Sequence, residues 1–576
     1  MTEDMTKRTL AATIVFALTM TAAMAVPAKH GLWRTLRLVD GTEVRAQRMG
    51  DERTRFWMSD NGLRLTLTDQ GAALVLTRKV MSERLAKRTI RKSQTQGMLR
   101  PPRRVAPGER TSYLGRKRGL VILVEYADVK FKAANTLAKY KRILNEAGYK
   151  TSEGFQGSVA DYFREQSEGQ FEIEFDVVGP YTLKYNREYY GTNIGDDDQA
   201  AEEMIVEACL QADAEVDFKD YDWDGDGEAD QVFVLYAGTG EADSFDDDAV
   251  WPHMYELSET DRQMWLDGVL VNTYACSNEV DMYGRIEGIG CFCHEFSHCM
   301  GFPDFYDINY EGHFGMSSFD LMDGGAYNAD GFVPAGYSAY EKMMCGWREP
   351  VELKDSLAIV ENLLPMSEGG TGYIIYNKAY PSEYYILENR QQTGWDAGLP
   401  ANGLMITHVD FDPAIWEYNV PNTILDEDSE EVRKYGYPTN DHQRLTIFHA
   451  DNDDDLKYWN PRGYYTKQTL TTDLYPYLGN DSLTNHSMPA ATLYNKNTDG
   501  SLLMNVAITD IQQNEDGTMD FCFSMRGDAE PDGFKPIQDS RQAIRGEKTY
   551  DLSGKLMQSP LSKGIYIVNG KKNVVR

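Results

Sequence analysis

Residues 288–307 read GIGCFCHEFSHCMGFPDFYD, and the rest of the chain is best read outward from this run. Side chains four apart share one face of a helix, so His294 and His298 direct two imidazoles at one point while Glu295 projects beside them. Gly301 supplies the left-handed residue that ends such a helix, after which the chain reverses and returns Asp304 toward the histidines. Two imidazoles and a carboxylate form a zinc donor set. Three protein ligands leave the fourth tetrahedral position open, which separates a catalytic zinc site from a closed structural one. Zinc lowers the pKa of water to about 7 and a neighbouring carboxylate can take the proton, the role open to Glu295. A carboxylate is less common than an imidazole as third ligand, and Asp307 competes with Asp304 for the place. An ordinary polar helix face is the plain alternative for an isolated HExxH; the added glycine and aspartate argue against it.

The flanks fit export. Lys7 and Arg8 precede an apolar run from Leu10 to Met20, and Ala23-Met24-Ala25 has the small-x-small form of a signal-peptide cleavage site. The run is shorter than the roughly 20 residues a membrane-spanning helix needs. Next comes TLRLVDGTEVRAQRMGDE, short alternating runs around a turn at Asp40-Gly41. Between Met81 and Arg118, Lys and Arg number 12 against 2 Glu, with basic clusters at Arg103-Arg104 and Arg116-Lys117-Arg118. This reads as a protease-accessible linker, closing either a removable prosegment or a plain interdomain spacer. No cysteine precedes Cys209, so latency cannot depend on a thiolate donated to zinc.

GLVILVEYADVKF from Gly119 reads as a buried strand, SVADYFREQSEGQ as a helix ended by Gly169, FEIEFDVV as an alternating strand, residues 201–212 as an amphipathic helix and QVFVLYAG as a strand. Beyond about residue 350 short strand-like runs dominate, among them EYYILEN, GLMITHVDF and MDFCFSM. The formal net charge of −32 argues against nucleic acid or an anionic membrane as general partner. The seven cysteines are odd in number and define no disulfide framework, although a bridge from Cys276 to one of Cys291, Cys293 or Cys299 is open.

A second metal signal lies in DYDWDGDGEAD. Asp222, Asp224, Asp226 and Asp230 place oxygen donors at alternating positions with glycines for sharp turns, the chemistry of a calcium loop; a frame from Asp220 shares three of them. So many carboxylates in one loop repel one another without a cation. Asp246-Asp247-Asp248, lacking glycines, reads as a solvated acidic run.

HEFSHCMGFPD resembles the HExxHxxGxxD pattern of the M6 peptidases, the immune inhibitor A family, which is similar to the metzincins but carries Asp in place of their third His. SSFDLMDGGAYN resembles the family's Met-turn, which implies that Met322 lies beneath the zinc. SVADYFREQSEGQF, DWDGDGEADQVFVLYAGTGEA with VWPH, and ENRQQTGWDAGLPANGLMITHVD are similar to further family segments, so the likeness covers roughly residues 118–525. The resemblance implies a zincin- or metzincin-like catalytic domain, with a twisted sheet and the active-site helix, and the strand-like runs of 355–525 predict an all-β sandwich-like domain after it, giving an α+β fold. It also suggests Tyr327 as the group that polarises the scissile carbonyl, with His253 and His313 structural.

The expected organisation is a signal peptide (1–25), a prosegment and basic linker (26–117), a zinc peptidase domain (118–352), a β-rich domain (353–526) and a C-terminal piece (527–576). TYDLSGKLMQSPLSKGIYIVNGKKNVVR resembles the sorting signals of type IX secretion in Bacteroidetes; a small accessory strand pair is the alternative. The function expected is a secreted zinc endopeptidase, made as a zymogen, acting on protein or peptide substrates and also binding Ca2+. It has no membrane span in the mature chain and meets secretion machinery through its tail. A secreted binding protein with a relic zinc site, and a zinc amidase of the cell wall, are the competing readings; an intact Glu295 opposes the first.

Overall fold

The computed structural model describes residues 24–75, 113–454 and 470–525 apart from positions 53, 61, 69, 70, 72, 195 and 196, with the backbone of a few short strands beyond 548. The apolar run of the expected signal peptide before Met24 and the basic linker up to 112 lie outside the described residues.

The first unit is a five-stranded antiparallel meander, β1 (Trp33–Arg37), β2 (Glu43–Gly50), β3 (Arg55–Ser59), β4 (Arg64–Leu67) and β5 (Ala73–Val75). Asp40 and Gly41 lie in the β1–β2 turn, with Gly41 at φ 89°, where the absence of a Cβ removes the steric cost. One face forms its own small core from Leu36, Ala46, Trp57, Leu65 and Ala73. Met49, Phe56 and Met58 on the other face join the main hydrophobic core of the next unit.

That unit is mixed α/β. Its sheet has the order β9-β10-β8-β6-β7, with β6 (Gly115–Glu125), β7 (Phe171–Thr182), β8 (Val232–Thr239), β9 (His253–Glu256) and β10 (Thr273–Val280). All neighbours are parallel except the edge strand β9, which runs antiparallel to β10. The continuous apolar run of β6 follows from burial on both faces: Val121 and Leu123 enter one core while Leu120, Ile122 and Val124 enter another. Helix α3 (Ala201–Ala212) covers the second face with Met204, Ile205 and Ala208. The first face carries α1 (Leu137–Asn145), α2 (Val159–Gln166), which starts at a Ser158–Asp161 capping box, and α4 (Gly290–Cys299). Phe292 of α4 stacks on Phe233 of β8 at 3.8 Å and meets Phe175 of β7 edge-on at 5.5 Å.

One boundary differs from the sequence reading. The basic cluster Arg116-Lys117-Arg118 is the start of β6, paired with β7, not linker. Its charges have local partners: Arg116 bonds Glu172 at 2.7 Å, Arg118 bonds Asp176 at 2.9 Å, and Lys117 donates to the Trp223 carbonyl at 2.8 Å.

The region after residue 350 forms two sheets. The larger contains β11 (Val351–Glu352), β13 (Tyr373–Tyr376), β14 (Glu383–Arg390), β15 (Gly403–Asp410) and β16 (Leu445–Ile447); the smaller contains β12 (Leu357–Leu363), β17 (Ala507–Gln513) and β18 (Met519–Ser524). Period-two alternation divides the central strands between neighbours. Tyr384, Ile386, Met405 and Val409 pack into the α/β core, whereas Tyr385, Leu387, Leu404 and Ile406 pack with Phe521 and Phe523 of the smaller sheet. Fully buried Arg390 fastens this layer to the α/β unit: it pairs with Glu388 at 2.9 Å and Asp396 at 2.7 Å and donates to the Gly336 carbonyl at 3.1 Å.

In the tail, the backbone segments Thr549–Asp551, Leu556–Met557, Gly564–Val568 and Lys571–Val575 pair as a four-stranded antiparallel sheet. Among the described residues, no helix is long and apolar enough to cross a membrane.

Candidate metal centre and active-site cleft

Helix α4 is buried along nearly its whole length, which is why its polar residues are separated by Cys and Phe and not by exposed charge. Its start is crowded: a Cβ at Gly288 would fall 2.2 Å from the Gly331 carbonyl carbon, and one at Gly290 would fall 1.9 Å from the Ala326 oxygen. Only glycine lets the 324–331 turn come this close. The helix ends in a Schellman motif, with Phe302 N bonded to Ser297 O at 3.2 Å, Gly301 N bonded to His298 O at 2.7 Å, and Gly301 at φ 92°.

This reversal brings Asp304 against the two histidines. The Nε2 atoms of His294 and His298 are 3.0 Å apart, and Asp304 Oδ1 is 3.3 Å from the first and 3.2 Å from the second. A tetrahedral zinc ion with bonds of about 2.0–2.1 Å sets its donors about 3.3 Å apart, so the three atoms fit that ion. The other ring nitrogens donate to main chain, His294 Nδ1 to Leu321 O at 2.8 Å and His298 Nδ1 to Phe302 O at 2.7 Å, which directs each Nε2 lone pair at the shared point. Burial lowers the His298 pKa, favouring the neutral ligand form. Burial works to raise the Asp304 pKa, but the two adjacent imidazoles outweigh it and hold the carboxyl ionised.

Asp307 does not join the group. Its carboxylate accepts the amides of Asn309, Glu311 and His313 at 3.1, 2.7 and 3.4 Å, closing a turn of its own. The residue that fixes Asp304 was not visible in the sequence. Asn419, between β15 and β16, donates through Nδ2 to Asp304 Oδ2 at 2.7 Å and accepts the Asp304 amide through Oδ1 at 2.6 Å. Met322 is fully buried, and its carbonyl accepts the Phe305 amide at 2.8 Å, so the 320–323 turn braces both His294 and the Asp304 loop.

Glu295 is completely buried, and burial raises its pKa well above the carboxylate range. Its Oε1 accepts the Val26 amide at 2.7 Å, and its Oε2 has no hydrogen-bond partner. Val26 belongs to a segment packed along the edge strand beside Glu295. Met24 and Met254 of edge strand β9 exchange backbone bonds of 3.1 and 2.7 Å in antiparallel sense. The Val26 carbonyl accepts Trp251 Nε1 at 3.0 Å, the Ala25 carbonyl accepts the Tyr306 hydroxyl at 2.7 Å, and the Pro27 carbonyl accepts the Tyr327 hydroxyl at 2.8 Å. An extended peptide therefore lies along the edge strand, over Glu295 and under Tyr327.

Charge fastens the rest of the first unit. Arg48 pairs with Glu241 and Asp247, and Arg55 pairs with Asp198 at 3.0 Å and Glu241 at 3.2 Å. The acidic run 246–248 is thus more than solvated: Asp246 pairs with Arg187 at 2.6 Å and Asp248 accepts the Thr192 hydroxyl at 2.7 Å. His253 is buried, bonded to Trp251 O at 2.6 Å and the Tyr274 hydroxyl at 2.8 Å, and burial lowers its pKa to about 4.

In the acidic loop, Asp222, Asp224 and Asp226 each offer an oxygen within 4.8 Å of the others. Asp230 is not in that group; its carboxylate accepts the Trp223 amide, and Asp220 pairs with Arg118. The Asp222 oxygens also accept the amides of Gly225 at 2.8 Å and Gly227 at 2.9 Å, so backbone donors offset part of the repulsion that suggested a cation. All seven cysteines are free thiols, and the bridge considered for Cys276 does not form; its sulfur lies 3.5 Å from His253 Nδ1.

Comparison with known proteins agrees with this geometry. Residues 108–347 match the family model described as immune inhibitor A peptidase M6, catalytic domain. The chain is 25% identical over 292 residues to immune inhibitor A of Bacillus thuringiensis subsp. alesti, covering 41% of each chain. It is 26% identical over 214 residues to the pre-pro-metalloprotease PrtV of Vibrio cholerae serotype O1, covering 32% of this chain and 23% of that one. The matches thus span less than half the length of these relatives.

Proposed function

We propose that the chain is a secreted zinc-dependent endopeptidase made as a zymogen. The carrying observation is the convergence of His294, His298 and Asp304 beside Glu295, at the floor of a cleft already holding a peptide backbone along β9. His294, His298 and Asp304 would hold zinc, which supplies Lewis acidity toward a peptide carbonyl and acidifies water. Glu295, adjacent on the same helix, takes the proton from the attacking water and returns it to the leaving amine once the Val26 amide no longer occupies its Oε1. Tyr327 donates its hydroxyl to the carbonyl oxygen of the scissile bond, as it does to the Pro27 carbonyl. Protein or peptide substrates bind extended and antiparallel to β9, in the manner of Met24.

The start of the prosegment, Val26–Pro27, supports latency, since the Val26 amide bonds the proposed base and the Pro27 carbonyl takes the Tyr327 hydroxyl, while Met24 and Ala25 leave with the signal peptide. Cleavage after Ala25 by a signal peptidase would leave Val26 N as an ammonium facing Glu295, replacing a neutral hydrogen bond by a charge-assisted one. The first β unit then acts as the prosegment, and its removal within the basic linker opens the cleft. The zincin-like fold, the sandwich-like β domain, calcium at the acidic loop and export through the C-terminal segment belong to the same reading; the match to the peptidase model and the names of the relatives support its core.

The test is Glu295→Gln in the processed enzyme. Proteolysis of casein is expected to fall to background while bound zinc stays at the wild-type level, because a base is lost and no ligand is. Cleavage at the wild-type rate would remove the mechanism.

A further inference from the structure

A second cluster of metal-binding character lies about the end of β16, away from the active-site helix in sequence. His449 follows that strand, and Asp473 follows the short 3-10 turn Leu470–Thr472. The Ala450 amide bonds the Asp473 carbonyl at 2.8 Å, which sets the two side chains against each other, with His449 Nδ1 at 3.0 Å from Asp473 Oδ1. Asp451 completes the group: one donor atom of each of His449, Asp451 and Asp473 lies within 4.8 Å of the other two.

Two features separate this cluster from an ordinary acidic surface. His449 is 6% exposed and Asp473 2%, and His449 Nε2 and Asp473 Oδ2 are buried atoms with no hydrogen-bond partner. A buried polar atom without a hydrogen-bond partner is destabilising, so two within one side-chain pair favour a ligand there. Charge points the same way. Two carboxylates face at most one imidazolium, and among the described residues no lysine or arginine pairs with either Asp451 or Asp473. An imidazole donor disfavours calcium and magnesium, which take oxygen ligands, and one nitrogen with two carboxylate oxygens suits a borderline ion.

We propose that His449, Asp451 and Asp473 hold a second divalent transition-metal ion of the zinc class, independent of the active-site triad. The ion takes up the unpaired buried Asp473 Oδ2 and ties the residues after β16 to those after the Leu470–Thr472 turn. His449 lies edge-on to Phe314 with ring centroids 4.3 Å apart, and the next residue, Gly315, donates to Gln443 at 2.8 Å. The site therefore also braces the β-rich layer against the segment leading into the 320–323 turn.

The test uses the full chain with the first site disabled by His294→Ala and His298→Ala, so that it does not depend on the enzymatic reading. After equilibration with zinc and gel filtration, elemental analysis is expected to find two zinc ions in the wild type, one in the His294→Ala/His298→Ala chain, and none when His449→Gln or Asp473→Asn is added. Circular dichroism checks that each chain is folded. A folded His294→Ala/His298→Ala chain that binds no zinc would overturn the proposal, as would retention of the remaining ion after both His449→Gln and Asp473→Asn.

Discussion

Asn419 offers a test of how the proposed metal centre is held, because it touches the proposed third ligand without being one. It is 1% exposed, contacts Asp304 through both ends of its amide, and sits at φ 58°, a conformation asparagine tolerates better than most residues. Removing its side chain takes one hydrogen bond from a carboxylate, worth about 1.5–3 kcal/mol, and leaves the Asp304 amide without its partner. Loss of an outer-shell partner of a metal ligand commonly weakens metal binding about 10–100-fold, which corresponds to about 1.4–2.8 kcal/mol and agrees with the hydrogen-bond figure. Alanine adds strain in the left-handed region and glycine does not, so the pair separates metal positioning from backbone cost. Asn419→Gly and Asn419→Ala should both raise the zinc dissociation constant about 10–100-fold in a chelator competition, with only Ala showing the additional loss of apo-protein melting temperature. Asn419→Asp, which sets a second carboxylate against Asp304, should be worse than either. Zinc affinity within twofold of wild type in Asn419→Gly would refute the claim that this amide orients the third ligand.

Other expectations follow from the same contacts. Burial raises the Asp198 pKa to about 7, with Arg55 opposing it; a carboxyl raised in the folded state contributes stability that is full below its ordinary pKa near 3.8 and is lost as pH rises through 7. The melting temperature of the intact chain should therefore fall between pH 5 and pH 8 by less in Asp198→Asn than in the wild type, and the same fall in both would exclude this group as the cause. If the 222–226 loop binds calcium, chelation lowers the melting temperature in a way zinc does not restore, and Asp224→Ala melting like wild type in saturating calcium would remove the site. Deleting residues 548–576 in the native host should trap folded, zinc-loaded protein in the periplasm, whereas unchanged activity in the medium would show that the tail does not direct export.

The comparison of sequence with structure divides along range of interaction. Helix spacing sets His294, Glu295 and His298 on adjoining faces, and Gly301 reverses the chain within three residues, so most of the centre was legible in one local run. The choice between Asp304 and Asp307 was not, because both lie past the turn and the difference rests on Asn419, which is 115 residues away. The alternation of FEIEFDVV read correctly as a strand because one of its faces is buried, whereas Arg116-Lys117-Arg118 read as linker because their partners Glu172, Asp176 and Trp223 are distant in sequence. In the acidic loop the local pattern brings Asp222, Asp224 and Asp226 together, while Asp230 accepts the Trp223 amide.

By itself the sequence determined the elements whose forces act within a few residues: the helix bearing the histidines, its glycine stop, the apolar strands, and the donor chemistry gathered in one motif. Only the tertiary structure decided which carboxylate completes the triad and that residues 24–27 lie across Glu295. It also decided that Arg48 and Arg55 meet the acidic groups of the α/β unit, and that His449 meets Asp473. Each of these contacts joins segments whose individual patterns carry no sign of the other, because packing and burial select the partner only once the layers are assembled.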